Sequence, residues 1–218
     1  MTHAPHLAVP PSRHPTRTPW VVGVSGASGT PYAKAVVAAL LAAGHPVDLV
    51  VSRAARLTLL DETGISWHDD DASLAEWVGA AGDVCFWGPA DLAAGPSSGS
   101  YPTRGMVVVP ASTAAVAGIA LGLSKDLLQR AASVTLKERR RLVVVPRETP
   151  LDRATLQHLV ELHDAGAVVL PASPGFYGGA SEVQQLVDFV AGKVLDVLDV
   201  QHDLLLRWTG ELGAGRQA

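Results

Sequence analysis

Only one cysteine, Cys85, occurs in 218 residues, which excludes an internal disulfide and any metal site built on several thiolates. A lone thiol suits a reducing cytoplasm, where the protein is expected to reside, with Cys85 buried as a small hydrophobe. No apolar run approaches the length of a membrane span, and residues 1–19 lack the apolar core of a signal peptide. Basic residues are not in excess either: 17 Lys and Arg against 21 Asp and Glu give a net charge of -4, which argues against sequence-independent nucleic-acid binding. Charged residues make up 17% of the chain and hydrophobic residues 48%, so one sizeable core is affordable but a second is not. Positive mean hydropathy without a membrane span points to burial between subunits, hence to a homo-oligomer.

Residues 1–19 mix Pro, His, Arg and Thr without apolar periodicity and are expected to form a flexible extension, with a domain over 20–208 and a C-terminal tail over 209–218. The stretch that organises the chain is Val21-Val22-Gly23-Val24-Ser25-Gly26-Ala27-Ser28-Gly29-Thr30. A strand-like run passes there into a helix: Gly26 and Gly29 permit a tight turn, Ser25, Ser28 and Thr30 offer hydroxyls, and Pro31 suits the first helical turn. Such a turn is expected to hold an anion such as phosphate. The GxGxxG spacing is missing, and Ser52 stands where a dinucleotide-binding dehydrogenase carries an acid.

Strands are predicted at Trp20 to Val24, Val47 to Val51, Gly105 to Val109, Leu142 to Val145 and Val168 to Leu170. Between them, Tyr32 to Ala43 predicts a helix closed by Gly44, and Arg53 to Leu60 another, ending at Asp61-Glu62-Thr63-Gly64. A small-residue helix is expected after Pro110-Ala111-Ser112-Thr113-Ala114-Ala115, and further helices over Asp126 to Lys137 and Ser181 to about Leu198. The thirty-odd residues after Gly64 show no clear period. This alternation predicts an α/β fold of one domain, a Rossmann-like, doubly wound, mostly parallel sheet flanked by helices, with ligands outside the carboxyl ends of its strands. Ser28, Ser52, Ser112, Arg147 and Tyr177 all follow strands, and together they point to a phosphorylated cofactor. Gly95-Pro96-Ser97-Ser98-Gly99-Ser100 is a second small-residue loop able to present backbone N–H groups, and Arg130 and Lys137 share a helical face.

In Ser25-Gly26-Ala27-Ser28-Gly29, Ser52-Arg53-Ala54-Ala55, Ser97-Ser98-Gly99-Ser100, Arg130-Ala131-Ala132, Leu136-Lys137-Glu138-Arg139-Arg140, Pro146-Arg147-Glu148-Thr149-Pro150 and Pro174-Gly175-Phe176-Tyr177, taken in order, the chain resembles the UbiX/Pad-type flavin prenyltransferases from Val21 to Trp208. The resemblance implies transfer of a dimethylallyl group from dimethylallyl phosphate to N5 and C6 of reduced FMN, without a metal, to supply a UbiD-type decarboxylase. It implies FMN contacts at Gly26, Ala27, Ser28, Ser52, Ser112, Thr113, Ala114, Ala115 and Arg147. Ser98, Gly99, Arg130, Lys137, Tyr177 and Lys193 would hold the prenyl phosphate; Glu62, Glu148, Lys137 and Ser28 would be catalytic, with the two glutamates handling protons. A dodecamer with sites between subunits is implied as well. Lys193 departs from the usual Arg, Leu92 from a Trp, Ala111 from a Cys and Arg141 from a Pro, while Trp208 is a candidate aromatic for a prenyl cation.

Plainer roles compete for several of these residues: a helix-end charge for Glu62, an ion pair with a neighbouring Arg for Glu148, a solvated face for Arg130 and Lys137, packing for Trp208. Two other functions compete too. An FMN-dependent cysteine-type decarboxylase of the same fold group would use a His near the first helix, where His45 is the nearest, and an Asn motif that Pro110-Ala111-Ser112-Thr113 replaces. A non-catalytic flavin-binding subunit would keep the FMN cradle alone.

Overall fold

The computed structural model describes residues 17–177 and 179–207. Its elements are β1 (Trp20–Val24), α1 (Thr30–Ala42), β2 (Val47–Val51), α2 (Arg53–Thr63), α3 (Asp71–Val78), β3 (Val84–Phe86), β4 (Gly105–Ala111), α4 (Thr113–Ala120), α5 (Leu127–Lys137), β5 (Arg141–Pro146), α6 (Arg153–Asp164), β6 (Val168–Val169) and α7 (Val183–Leu198). The strands form a six-stranded sheet in the order β3-β2-β1-β4-β5-β6, and every pairing in it is parallel.

Strands β1, β2 and β4 are buried along their whole length, which is why they are near-continuous Val, Leu and Ile-like runs rather than alternating ones. Alternate side chains then enter two cores. Val22, Val24, Leu49, Val51, Val107 and Val143 face α1, α2, α3 and α7; Val21, Val50, Met106, Val108, Leu142 and Val144 face α4, α5 and α6. Helix starts are set by side-chain caps: Ser52, Asp70, Ser112, Asp126 and Asp152 each accept the N–H three residues on. Gly64 and Gly79 close α2 and α3 in the left-handed conformation.

The doubly wound single-domain expectation therefore holds, with three elements added. Helix α3 is two turns long and β3 three residues at the sheet edge, both too short to show a period in the segment that seemed irregular. Helix α6 also went unpredicted, although Asp152 caps it and Leu159 and Leu162 form its buried side. Strand β6 is shorter than expected and β4 longer. Cys85 is half-buried rather than buried, because β3 is an edge strand.

The fold also begins before Trp20. Arg17 is buried, its guanidinium pairing with the fully buried Asp48 of β2 and with Asp83 (3.0 Å), and donating to the Val47 carbonyl (2.7 Å). Burial pushes the Asp48 carboxyl up, against the pull of Arg17. The expectations for residues 1–16, for Trp208 and for the tail 209–218 lie outside the described residues. Among the described residues no helix is long and apolar enough to cross a membrane.

A pair of this kind is costly to break from one side only. Arg17→Met is expected to lower unfolding free energy by about 3–5 kcal/mol in a denaturant titration, and adding Asp48→Asn to recover part of it, since the uncompensated buried charge is then gone.

Candidate active site

Parallel pairing sets the carboxyl ends of β2, β1, β4 and β5 side by side, and the turns leaving them build the site. Ser25 joins two of these turns: its hydroxyl donates to the Pro110 carbonyl and accepts the Ser112 N–H, both at 2.7 Å. A Cβ at Gly26 would collide with Ala54, so only glycine lets the β1 turn pass the start of α2 this closely. Between the turns lies a cavity of about 410 Å³. Gly26, Ser52, Ser112, Ala114 and Ala115 of the expected flavin contacts line it, together with Ser25 and four polar groups that had not been expected, Arg53, Lys125, Asp126 and Gln129. The N-termini of α2 and α4 open on it, so backbone N–H groups, hydroxyls and two cations converge on one hollow, a donor set suited to a phosphate monoester. Thr113 and Ala114 also line an adjoining hollow of about 420 Å³ that includes Glu148. Arg147 donates to the Ser28 carbonyl (2.8 Å), so the β5 exit is tied to the β1 turn.

The turn at Gly29 and Thr30 holds an anion, but not the one anticipated. The Gly29 N–H (2.9 Å), the Thr30 N–H (2.9 Å) and the Thr30 hydroxyl (2.6 Å) all donate to the carboxylate of Glu62, in the last turn of α2. The Gly29 and Thr30 donors at the start of α1 are thus taken by the chain's own side chain. Partial burial works against the Glu62 charge, yet hydrogen bonds from Thr30, Ser28 and Gly29 together hold its carboxyl below the usual range. Glu148 differs: it is exposed in the loop after β5 and accepts the Thr149 N–H (2.9 Å) rather than pairing with an arginine.

The expected phosphate-holding residues fall into separate groups. Ser98, Gly99, Arg130 and Lys137 come together: Arg130 Nε donates to the Ser97 carbonyl (3.0 Å), and a Cβ on Gly99 would strike Lys137 Nζ (2.7 Å) and the Glu138 carboxylate. Lys137 also pairs with Glu138. Tyr177 lies beyond β6, exposed and edge-on to Phe189 at 5.7 Å. Lys193 is on α7, paired with Asp196 (3.2 Å). Helices α5 and α7 cover opposite faces of the sheet, so Lys137 and Lys193 do not meet within one chain. Leu92 is exposed.

Residues 8–195 match the flavoprotein family. A flavin prenyltransferase UbiX of Streptomyces coelicolor is 67% identical over 212 residues, covering 91% of this chain and 98% of that one. The chain belongs to the UbiX flavin prenyltransferases. Among solved structures, AnUbiX in complex with FMN and dimethylallyl pyrophosphate superposes with a TM-score of 0.80 at 36% identity, covering 89% of this chain and 99% of that one. A dodecameric FMN-dependent UbiX-like decarboxylase from Escherichia coli O157:H7 gives the same TM-score at 37% identity, over 88% and 100% of the two chains.

For a UbiX chain, Arg53 and Lys125 carried a signal that went unused: each stands beside a capping residue, Ser52 and Asp126, at the start of a helix that opens on the cavity. The Glu62 contacts have a thermodynamic consequence. Because its folded-state pKa is depressed, the stability Glu62 contributes is full above the ordinary carboxylate range and is lost as pH falls through the depressed value. Glu62→Gln is expected to cost about 1 kcal/mol at neutral pH. In urea titrations at a series of pH values, that deficit should shrink towards zero as the medium is acidified below the ordinary carboxylate range.

Proposed function

We propose that the chain transfers the dimethylallyl group of dimethylallyl phosphate to reduced FMN, closing a fourth ring through N5 and C6, and passes the product to a UbiD-type decarboxylase. The observation that carries this reading is the presence of two anion-receptive regions: the hollow at the strand ends, and the Ser98, Gly99, Arg130 and Lys137 cluster. One suits the phosphate of FMN, and the other a second phosphate from a different molecule.

In this reading Gly26, Ala27, Ser28, Ser52, Ser112, Thr113, Ala114, Ala115 and Arg147 hold FMN, with Arg53 and Lys125 adding charge at its phosphate. Reduced FMN supplies an electron-rich ring able to capture a prenyl cation. Breaking the allylic C–O bond puts negative charge on the departing phosphate, and Arg130, Lys137, Lys193 and the Tyr177 hydroxyl stabilise it there. In this reading Glu148, which shares a hollow with Thr113 and Ala114, takes a proton, and the released phosphate offers a second base. Glu62 keeps Ser28, Gly29 and Thr30 in position and, already accepting three hydrogen bonds, is the weaker acceptor.

Lys137 ends the helix whose start lines the hollow, and Lys193 lies across the sheet, so in this reading neighbouring copies bring these residues to the flavin and the working unit is a homo-oligomer, a dodecamer as in the Escherichia coli relative. Exposed Leu57 and Leu60 on α2, Leu156 and Val160 on α6, and Phe176 and Val183 offer apolar surface for such contacts. A reduced flavin and a lone cysteine both suit a cytoplasmic location. The cysteine-decarboxylase alternative is disfavoured because Pro110-Ala111-Ser112-Thr113 stands in place of its Asn motif, and because His45 lies at the amino-terminal edge of the sheet, away from the hollow between α2 and α4.

Anaerobic incubation with reduced FMN and dimethylallyl phosphate, followed by mass spectrometry of the released flavin, is expected to show FMN heavier by one C5H8 unit. Glu148→Gln should slow its appearance by about a hundredfold, within the usual range for general acid–base catalysis. Unmodified FMN from the unaltered chain would remove the transferase reading.

A further inference from the structure

The loop that joins β3 to β4 is held by two arginines through alternate carbonyls. Arg130 Nε takes Ser97 O, while the Arg140 guanidinium takes Gly99 O (2.7 Å), Tyr101 O (2.9 Å) and the Thr103 hydroxyl (3.2 Å). Within the loop, Ser98 N–H goes to Gly95 O (3.0 Å) and Tyr101 N–H to Ser98 O (3.2 Å). The N–H groups of Gly99 and Ser100 have no acceptor among the described residues, and the hydroxyls of Ser98 and Ser100 lie 3.0 Å apart. A trans peptide is planar, so with Gly99 C=O turned to Arg140 the Ser100 N–H points the opposite way. Arg140 therefore fixes the direction of the Ser100 N–H, while the Gly99 N–H is set by the Ser98 carbonyl that the Tyr101 N–H holds; both lie beside the Lys137–Glu138 ion pair, which packs against Gly99. From its other end the loop is steadied by Tyr101, whose ring covers Gly95 and stands edge-on to Trp87 at 6.5 Å.

We propose that Arg140 is a positioning residue for the prenyl-phosphate site: it does not touch the phosphate, but aims the Ser100 N–H through the Gly99 carbonyl and, by holding Tyr101, steadies the Ser98–Ser100 segment that receives it. The inference rests on the reading of Ser98, Gly99 and Lys137 as a phosphate site. Arginine serves this role better than lysine, because one planar fork reaches three acceptors at once, whereas an ammonium on a flexible stem holds fewer of them. The neighbouring Arg139 has the same charge but makes no hydrogen bond to the loop, and its backbone is in the left-handed region (φ 57°), which asparagine tolerates.

The test is calorimetric binding of dimethylallyl phosphate to the FMN-loaded chain, with FMN affinity, and KM and kcat for prenyl transfer, measured alongside. Arg140→Ala is expected to weaken dimethylallyl phosphate about tenfold or more, the usual scale for losing charged hydrogen bonds, and to raise KM in parallel. FMN affinity should stay within about twofold, Arg140→Lys should recover part of the loss, and Arg139→Asn should leave binding within about twofold. Unchanged binding in Arg140→Ala, an equal loss in Arg139→Asn, or a matching loss of FMN affinity would each overturn the proposal. An unaltered chain that binds dimethylallyl phosphate but transfers nothing overturns the transferase reading alone, and the affinities of the variants still decide the role of Arg140.

Discussion

Parallel pairing is the constraint on which everything else in this molecule depends. Because all five strand pairings run the same way, every strand discharges its following turn at one edge, and chemistry from Ser25, Ser52, Ser112 and Arg147 meets without any of these residues being near another in sequence. The same constraint covers both faces with helices and places α5 and α7 on opposite sides, which keeps Lys137 and Lys193 apart. The residues proposed to hold the prenyl phosphate are consequently divided by the architecture itself. A site that needs both cations has to be assembled from more than one copy.

Within one chain, several charges serve the fold before they serve a ligand. Glu62 neutralises the N-terminus of α1, Arg17 neutralises Asp48 in the core, and Arg140 is committed to three acceptors of one loop. The N-termini of α2, α4 and α5 bound the hollow at the strand ends. Anion specificity here is a matter of which donors remain after the chain has satisfied its own carboxylates and carbonyls.

The doubly wound sheet was legible because β1, β2, β4 and most of β5 are buried and so appear as near-continuous apolar runs, broken in β2 by Asp48, and because glycine and capping residues mark most helix ends. Ser52 and Ser112 were recognisable for the same reason, standing directly after such runs. What stayed hidden is long-range. That Glu62 reaches back more than thirty residues to Gly29, or Arg17 to Asp48, depends on tertiary approach and leaves no local pattern. Helix α3 and strand β3 were illegible because two turns and three residues carry too few apolar positions to establish a period. The separation of Lys137 from Lys193 follows from the faces their helices cover, and the motifs themselves give no hint of it.

The most direct test of this account is complementation between two inactive chains. Lys137→Ala and Lys193→Ala variants, each impaired alone, would be co-expressed so that mixed oligomers form, and prenyl transfer would be measured on the purified mixture. If the phosphate site draws Lys137 from one copy and Lys193 from another, some sites in the mixture contain both native lysines, and activity returns. If both lysines serve a site from the same copy, no mixed site is intact; activity no higher than that of the separate variants would contradict the account.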